Sequence, residues 1–171
     1  MEFFTRFLRP DDAESLLSLN RELAAIPHGF VRNEEEMNLE FVEKTIERGV
    51  NGGIALGAFE RGSGRLMGAI TSRQLALKAF EHVISNVTVG VHPDFQQKGV
   101  ARRLLLDLLE NVQMNREDIT RVELIARESN QRQIAFYESI GFRREGVFEK
   151  RIRNPDGSYE ADIPMGWTKH E

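Results

Sequence analysis

Apolar positions along this chain alternate between helical and strand-like spacing, and each change of period marks an element. Phe3 to Arg9 reads as an edge or outer strand, and Arg9-Pro10-Asp11-Asp12 supplies a turn with helix-capping oxygens. Leu16, Leu19 and Leu23 recur at helical spacing, which predicts a helix over Asp12 to Ala25, interrupted by Pro27-His28-Gly29. Leu39, Val42 and Ile46 continue that period in a second helix over 34–48, ended near Gly49. Ile54 to Phe59 and Leu66 to Ile70 read as strands joined by the flexible turn Arg61-Gly62-Ser63-Gly64, a β-hairpin. Thr71 to Phe80 has apolar residues without a clean period, and His82 to Val91 returns to strand character until His92-Pro93.

From Gly99 the positions Val100, Leu104, Leu105, Leu108 and Val112 share one helix face. A polar connection, Asn115 to Thr120, leads to a strand over Arg121 to Ala126, so strand, helix and strand form a crossover long enough for parallel pairing. Ser129 or Asn130 caps a helix carrying Ile134, Tyr137 and Ile140, with Gly141 where a left-handed residue ends it. Phe142 to Arg153 and Tyr159 to Trp167 flank Asn154-Pro155-Asp156-Gly157, whose Pro and Gly favour a type I turn with a following bulge in a terminal hairpin. No repeat or linker divides residues 1–171, so a single domain with a mixed sheet covered by helices is expected.

Composition narrows the class. With 40% hydrophobic and 29% charged residues the chain belongs among ordinary soluble proteins. A formal net charge of −4, with bases and acids interspersed, argues against nucleic acid as a partner. No apolar run approaches a membrane span and the first residues lack a secretory pattern, so no membrane association and cytoplasmic residence are expected. The absence of Cys excludes disulfides, thiolate metal sites and a cysteine nucleophile, and the four His show no metal-ligand spacing.

The chemistry concentrates where the strand ending at Val91 runs through Gln96-Gln97-Lys98-Gly99-Val100-Ala101 into a helix. Small residues at Gly99 and Ala101 let an anion approach the backbone, and the first helical amides point at it. Lys98 and Arg102, or Arg103, can reinforce from the rim. The same pattern also suits an ordinary turn and helix start. Neither a Gly-x-x-x-x-Gly-Lys-Ser/Thr nor a Gly-x-Gly-x-x-Gly after a strand occurs, which argues against nucleotide triphosphatase and dinucleotide folds.

Gln96 to Ala101 resembles the Gln/Arg-x-x-Gly-x-Gly/Ala signature of the GNAT superfamily of acyl-coenzyme A N-acyltransferases. Ser129-Asn130 through Ala135-Phe136-Tyr137 to Gly141-Phe142 resembles its second conserved block. The terminal hairpin is similar to that of the subset holding ribosomal-protein N-terminal and small-amine acetyltransferases. The resemblance implies a GNAT-like α/β (α+β) fold: a mixed, largely antiparallel central sheet flanked by helices, with a central parallel strand pair and a C-terminal β-hairpin. It also implies acetyl-coenzyme A as cofactor and acetyl transfer to a primary amine by direct attack in a ternary complex.

On that resemblance the diphosphate is held by backbone amides of Gln97, Lys98, Gly99, Val100 and Ala101, introduced by Gln96 and aided by Arg102. The pantetheine arm lies beside the strand at Val89 and Val91, and Asn130 bonds it directly or through water. Tyr137 lies near the sulfur as proton donor to the departing thiolate, although the residue taken alone is better explained by packing of its helix. An amide around Val89 to Val91 serves the oxyanion. An amine whose reference pKa is about 10 must lose a proton before attack, and Glu81 or His82, preceding that strand, are the candidate bases; both equally suit a surface role. His28, Glu34 and Glu81 are the candidate acceptor-binding residues, while Glu34-Glu35-Glu36 also reads as an exposed helix start, and His92 as a loop support.

The expected partner is a small-molecule or peptide amine, with the protein a monomer or homodimer. The alternative function is a noncatalytic acyl-coenzyme A sensor or structural interaction protein on the same fold.

Overall fold

The computed structural model describes residues 2–27, 30 and 32–169. Its central sheet contains β1 (Phe3–Phe7), β2 (Ala55–Glu60), β3 (Leu66–Gln74), β4 (Val83–Val91), β5 (Arg121–Arg127), β6 (Arg143–Arg144), β7 (Phe148–Arg153) and β8 (Tyr159–Thr168). The order is β1-β2-β3-β4-β5-β8-β6, with β7 also on β8. Every pairing is antiparallel except β4 with β5, joined through the crossover helix α3 (Val100–Asn115). The expected fold class is therefore observed. Helices α1 (Ala13–Ala24) and α2 (Leu39–Val50) cover one side, and α3 with α4 (Gln131–Ser139) the other.

Two apolar layers hold the sheet. Val100, Leu104, Leu105, Leu108 and Val112 of α3 are buried against Met67, Ile70, Ile84 and Leu124, as their shared helix face requires. Leu16, Leu19, Leu23, Val42 and Ile46 pack against Ala55 and Ala69 on the opposite side. Full burial of a leucine side chain stabilises by about 1.5–3 kcal/mol, so these layers dominate the fold's cohesion. In the terminal hairpin the Gly157 amide donates to the Asn154 carbonyl at 2.9 Å, and Gly157 has φ +86, the expected turn and left-handed bulge.

Several local expectations change. Helix α2 starts at Leu39 rather than residue 34, because the Asn38 side chain accepts from the Phe41 amide and caps it there. Leu39, at that first turn, is exposed instead of joining the core. Asp12 does not cap α1 forward: its carboxylate takes both the Arg9 amide and a two-pronged contact from Arg6 at 2.7 and 2.8 Å. The aperiodic segment after Ile70 begins as strand, since β3 runs on to Gln74, and ends in a short 3-10 turn at Lys78–Phe80.

Candidate active site

β4 carries the site, and its shape follows from one extra residue. Thr71 pairs with Thr88 while Arg73 pairs with Ser85, so two steps along β3 match three along β4. The extra residue is accommodated around Asn86, which has φ +53, a conformation that Asn tolerates better than most residues. This bulge moves the buried face from the even position Ile84 to the odd positions Val87 and Val91. It also marks where β4 leaves β5, because the parallel pairing consists of Val83↔Arg121 and Ile84↔Val122 alone. Beyond Ile84 one edge of β4 is free of β5, and a groove of about 1190 Å³ opens between the strands.

The groove runs from the sheet's α1–α2 side to the start of α3. At that end lie Val89, Val91, Gln96, Gln97, Gly99, Val100, Ala101 and Arg102, with Asn130, Gln133 and Tyr137 from the region of α4. Gln96 Nε2 donates to the Val91 carbonyl at 3.1 Å and fastens the loop to the strand. Gln97 and Gly99 have φ +59 and +81; a Cβ on Gly99 meets no atom within 4 Å, so backbone conformation rather than crowding favours glycine there. Unlike α2 and α4, α3 has no side-chain cap at its N-terminus, so its leading amides keep the capacity to bind an anion.

His92 stabilises this loop from beneath. Its Nδ1 accepts from the Asp94 amide at 3.2 Å, and its Nε2 lies 2.6 Å from Glu22 on α1. Lys98 turns back to donate to the Asp94 carbonyl at 2.7 Å and does not line the groove, unlike its expected rim role.

Asn130, rather than Ser129, caps α4: its oxygen accepts from the Gln133 amide at 3.1 Å and its amide donates to Gln133 Oε1 at 2.8 Å. Gln133 Nε2 in turn donates to Tyr137 Oη at 2.7 Å. The Phe142 amide bonds the Tyr137 carbonyl and the Gly141 amide bonds Glu138, a double closure that fixes the helix end carrying Tyr137. Burial pushes the Tyr137 phenol up from its ordinary value, so it remains protonated across the neutral range. The hydroxyl is therefore present as O–H on this groove, as a proton donor must be, although burial makes it a weaker acid than a free phenol.

The sequence-based acceptor residues fare differently. Glu81 and His82 sit at the far end of β4, where Thr120 and Arg121 donate to the His82 carbonyl, and neither lines the groove. Ser85 and Asn86, three and four residues beyond His82, and Arg121 beside it do line the groove, so Glu81 and His82 stop just short of its acceptor end. Glu34 lines a separate shallow depression with Arg21 and Glu22, while Glu36 of the same triplet reaches the main groove. His28 lies outside the described residues.

On the α1–α2 side the groove is instead lined by Phe30, Arg32, Phe41, Thr45, Arg48, Arg73, Asn86, Glu123 and Glu145, among others. None of these was singled out from sequence. The parity change of buried residues between Ile84 and Val87 is the one local signal that could have located Asn86. Arg121 engages two of the groove carboxylates, Glu123 at 3.1 Å and Glu145 more closely, and holds the Glu145 carboxyl below its usual range. Among the described residues no group of His, Asp and Glu is placed to hold a metal ion, and no helix is long and apolar enough to cross a membrane.

Known proteins are similar to this chain in sequence and in fold. The N-alpha-acetyltransferase RimI of Mycobacterium tuberculosis is 35% identical over 94 residues, which is 54% of this chain and 55% of that protein. The [Ribosomal protein bS18]-alanine N-acetyltransferase of Escherichia coli K12 is 32% identical over 75 residues, 44% of this chain and 49% of the other. The chain thus spans about half the length of the curated relatives it matches. The structure of yncA from Salmonella typhimurium, solved with its cofactor acetyl-CoA, superposes with a TM-score of 0.85 at 18% identity, covering 100% of this chain and 96% of that one. The model of the acetyltransferase (GNAT) family matches residues 17–142, from within α1 to the Phe142 closure of α4, and the chain belongs to that family.

Proposed function

We propose that this protein transfers an acetyl group from acetyl-coenzyme A to a primary amine of a small molecule or peptide. The observation that carries the reading is the free edge of β4 beyond Ile84, leading directly into the uncapped start of α3 with Tyr137 beside the same groove. Such an edge can pair with an extended amide-bearing arm as a strand would, and the α3 amides can take the diphosphate at its end. When bound, acetyl-coenzyme A supplies an activated thioester acyl group.

The chain's own groups meet the remaining demands. Amides on the free β4 edge are available to a developing oxyanion. Tyr137 Oη, held by Gln133, gives a proton to the departing sulfur. Glu123 replaces Glu81 and His82 as our candidate base: it lies on β5 beside the strand divergence and lines the groove, so an amine proton can reach it through water. Overall a C–S bond is exchanged for a C–N bond, one amine proton is lost and the thiol leaves protonated. No covalent intermediate on the protein is needed.

The test is release of coenzyme A thiol, with mass detection of product, over amino acids, polyamines, aminoglycosides and short peptides. Acetyl-coenzyme A binding with turnover of at least one amine is expected. Binding without transfer to any of them would overturn the catalytic reading in favour of a sensor.

A further inference from the structure

The acceptor side of the groove has an uneven distribution of charge. Glu123 and Glu145 are both engaged by Arg121, and Glu36 accepts from the Asn33 amide at 2.9 Å. Arg32, Arg48 and Arg73 line the same space, and among the described residues none of the three is paired with a carboxylate.

Two of these arginines are brought together by the fold. A Cβ built on Gly53 would stand 2.7 Å from the Arg48 carbonyl oxygen and 2.9 Å from Arg73 Cα, so their backbones converge on one point. Phe41, Thr45 and Arg48 share a face of α2 at positions i, i+4 and i+7, and all three line the groove. With the Asn86 amide turned so that its oxygen faces Arg73, it accepts from Nε at 3.1 Å and Nη2 at 3.3 Å, which ties this guanidinium to the β4 bulge. Arg32 lies over the Phe41 ring at 4.3 Å, an aromatic wall to the same space.

These cations are separate from the cofactor's phosphate grip. Arg73 pairs with Ser85, whereas Val91, next to the loop, pairs with Gly68, and six strand residues span about 20 Å. A guanidinium fork matches a carboxylate, and a concentration of positive charge repels a polyamine.

Resting on the acetyltransferase reading above, we infer that the acceptor is a small amino-carboxylate, its amine directed to the strand divergence and its carboxylate taken by Arg48 and Arg73. A peptide N-terminus is disfavoured, because its amine has a neutral amide where this site offers positive charge.

The experiment compares the twenty common amino acids with their primary amides, plus spermidine and an alanine-first tripeptide, by thiol release and product mass. At least one free amino acid should exceed its own amide in kcat/KM by about tenfold to a hundredfold, the range for a charge-assisted contact. Arg48→Gln and Arg73→Gln should each raise KM for that acid by a similar factor, with kcat nearly kept and the amide's KM unmoved; Arg73→Lys should recover part of the loss. Acetyl-coenzyme A affinity by calorimetry should not change in these variants, and the melting temperature should hold in Arg48→Gln but fall in Arg73→Gln, which loses its contacts to Asn86. Equal turnover of acid and amide, preference for spermidine or tripeptide, no acetylated amino acid, or unaltered KM in both glutamine variants each overturns the inference. Failure of the parent protein to bind acetyl-coenzyme A overturns the function beneath it, which separates the two.

Discussion

The two ends of the groove are built by opposite strategies. At the α3 end, consecutive residues do the work: Gln96 to Arg102 form one loop and helix start, and Asn130, Gln133 and Tyr137 lie within two turns of one helix. At the α1–α2 end, Arg48 comes from α2, Arg73 from β3, Asn86 from the β4 bulge and Glu123 from β5. Backbone amides and a helix terminus suit a donor handle whose shape does not vary. Side chains gathered from four elements suit an acceptor, because each is replaceable without disturbing the loop that holds the donor.

This contrast can be tested, beginning with the largest expected effect. Tyr137→Phe removes the proton donor at the α3 end, and kcat should fall by about a hundredfold to ten-thousandfold with acetyl-coenzyme A affinity nearly unchanged. Full turnover in that variant would reduce Tyr137 to a packing residue. Leu105→Ala deletes a fully buried side chain beneath both ends and should lower unfolding free energy by about 2–5 kcal/mol in denaturant titration.

Asp12→Asn probes the α1 side away from either ligand. The Arg6 contact holds the Asp12 carboxyl below its usual range, so its stabilisation is complete above the unfolded value of about 3.9 and is lost as pH falls through the lower folded value. The variant should cost about 1–3 kcal/mol at neutral pH, shrinking in acid, with both ligand affinities intact. A constant deficit down to pH 2 contradicts this assignment. Gly99→Val forces a branched residue to φ +81 in the loop, at about 1–2 kcal/mol, so acetyl-coenzyme A should bind about fivefold to thirtyfold more weakly. Weakened acceptor binding with unchanged coenzyme A affinity would invert the comparison.

Legibility in the sequence followed the same division. Val100, Leu104, Leu105, Leu108 and Val112 declare a helix face by period alone, and the core confirms each. The small residues Gly99 and Ala101, and the Asn130 to Phe142 block, are contiguous, so their arrangement is readable before folding. Glu81 and His82 show where such reading stops: Ser85 and Asn86, a few residues on, line the groove and they do not, because the parting of β4 from β5 sets where it opens. Glu34 and Glu36 differ by two positions, yet the turn before Asn38 directs them into different depressions.

Periodicity, capping residues and local dihedral preferences act over a few neighbours, so most of the elements, the crossover, the terminal turn and the loop into α3 were legible before folding. Tertiary structure decided the acceptor wall. The register shift at Asn86, the parting of β4 from β5 and the convergence of Arg48 with Arg73 at Gly53 depend on pairings between distant segments, and no local preference encodes which distant residues will share a surface.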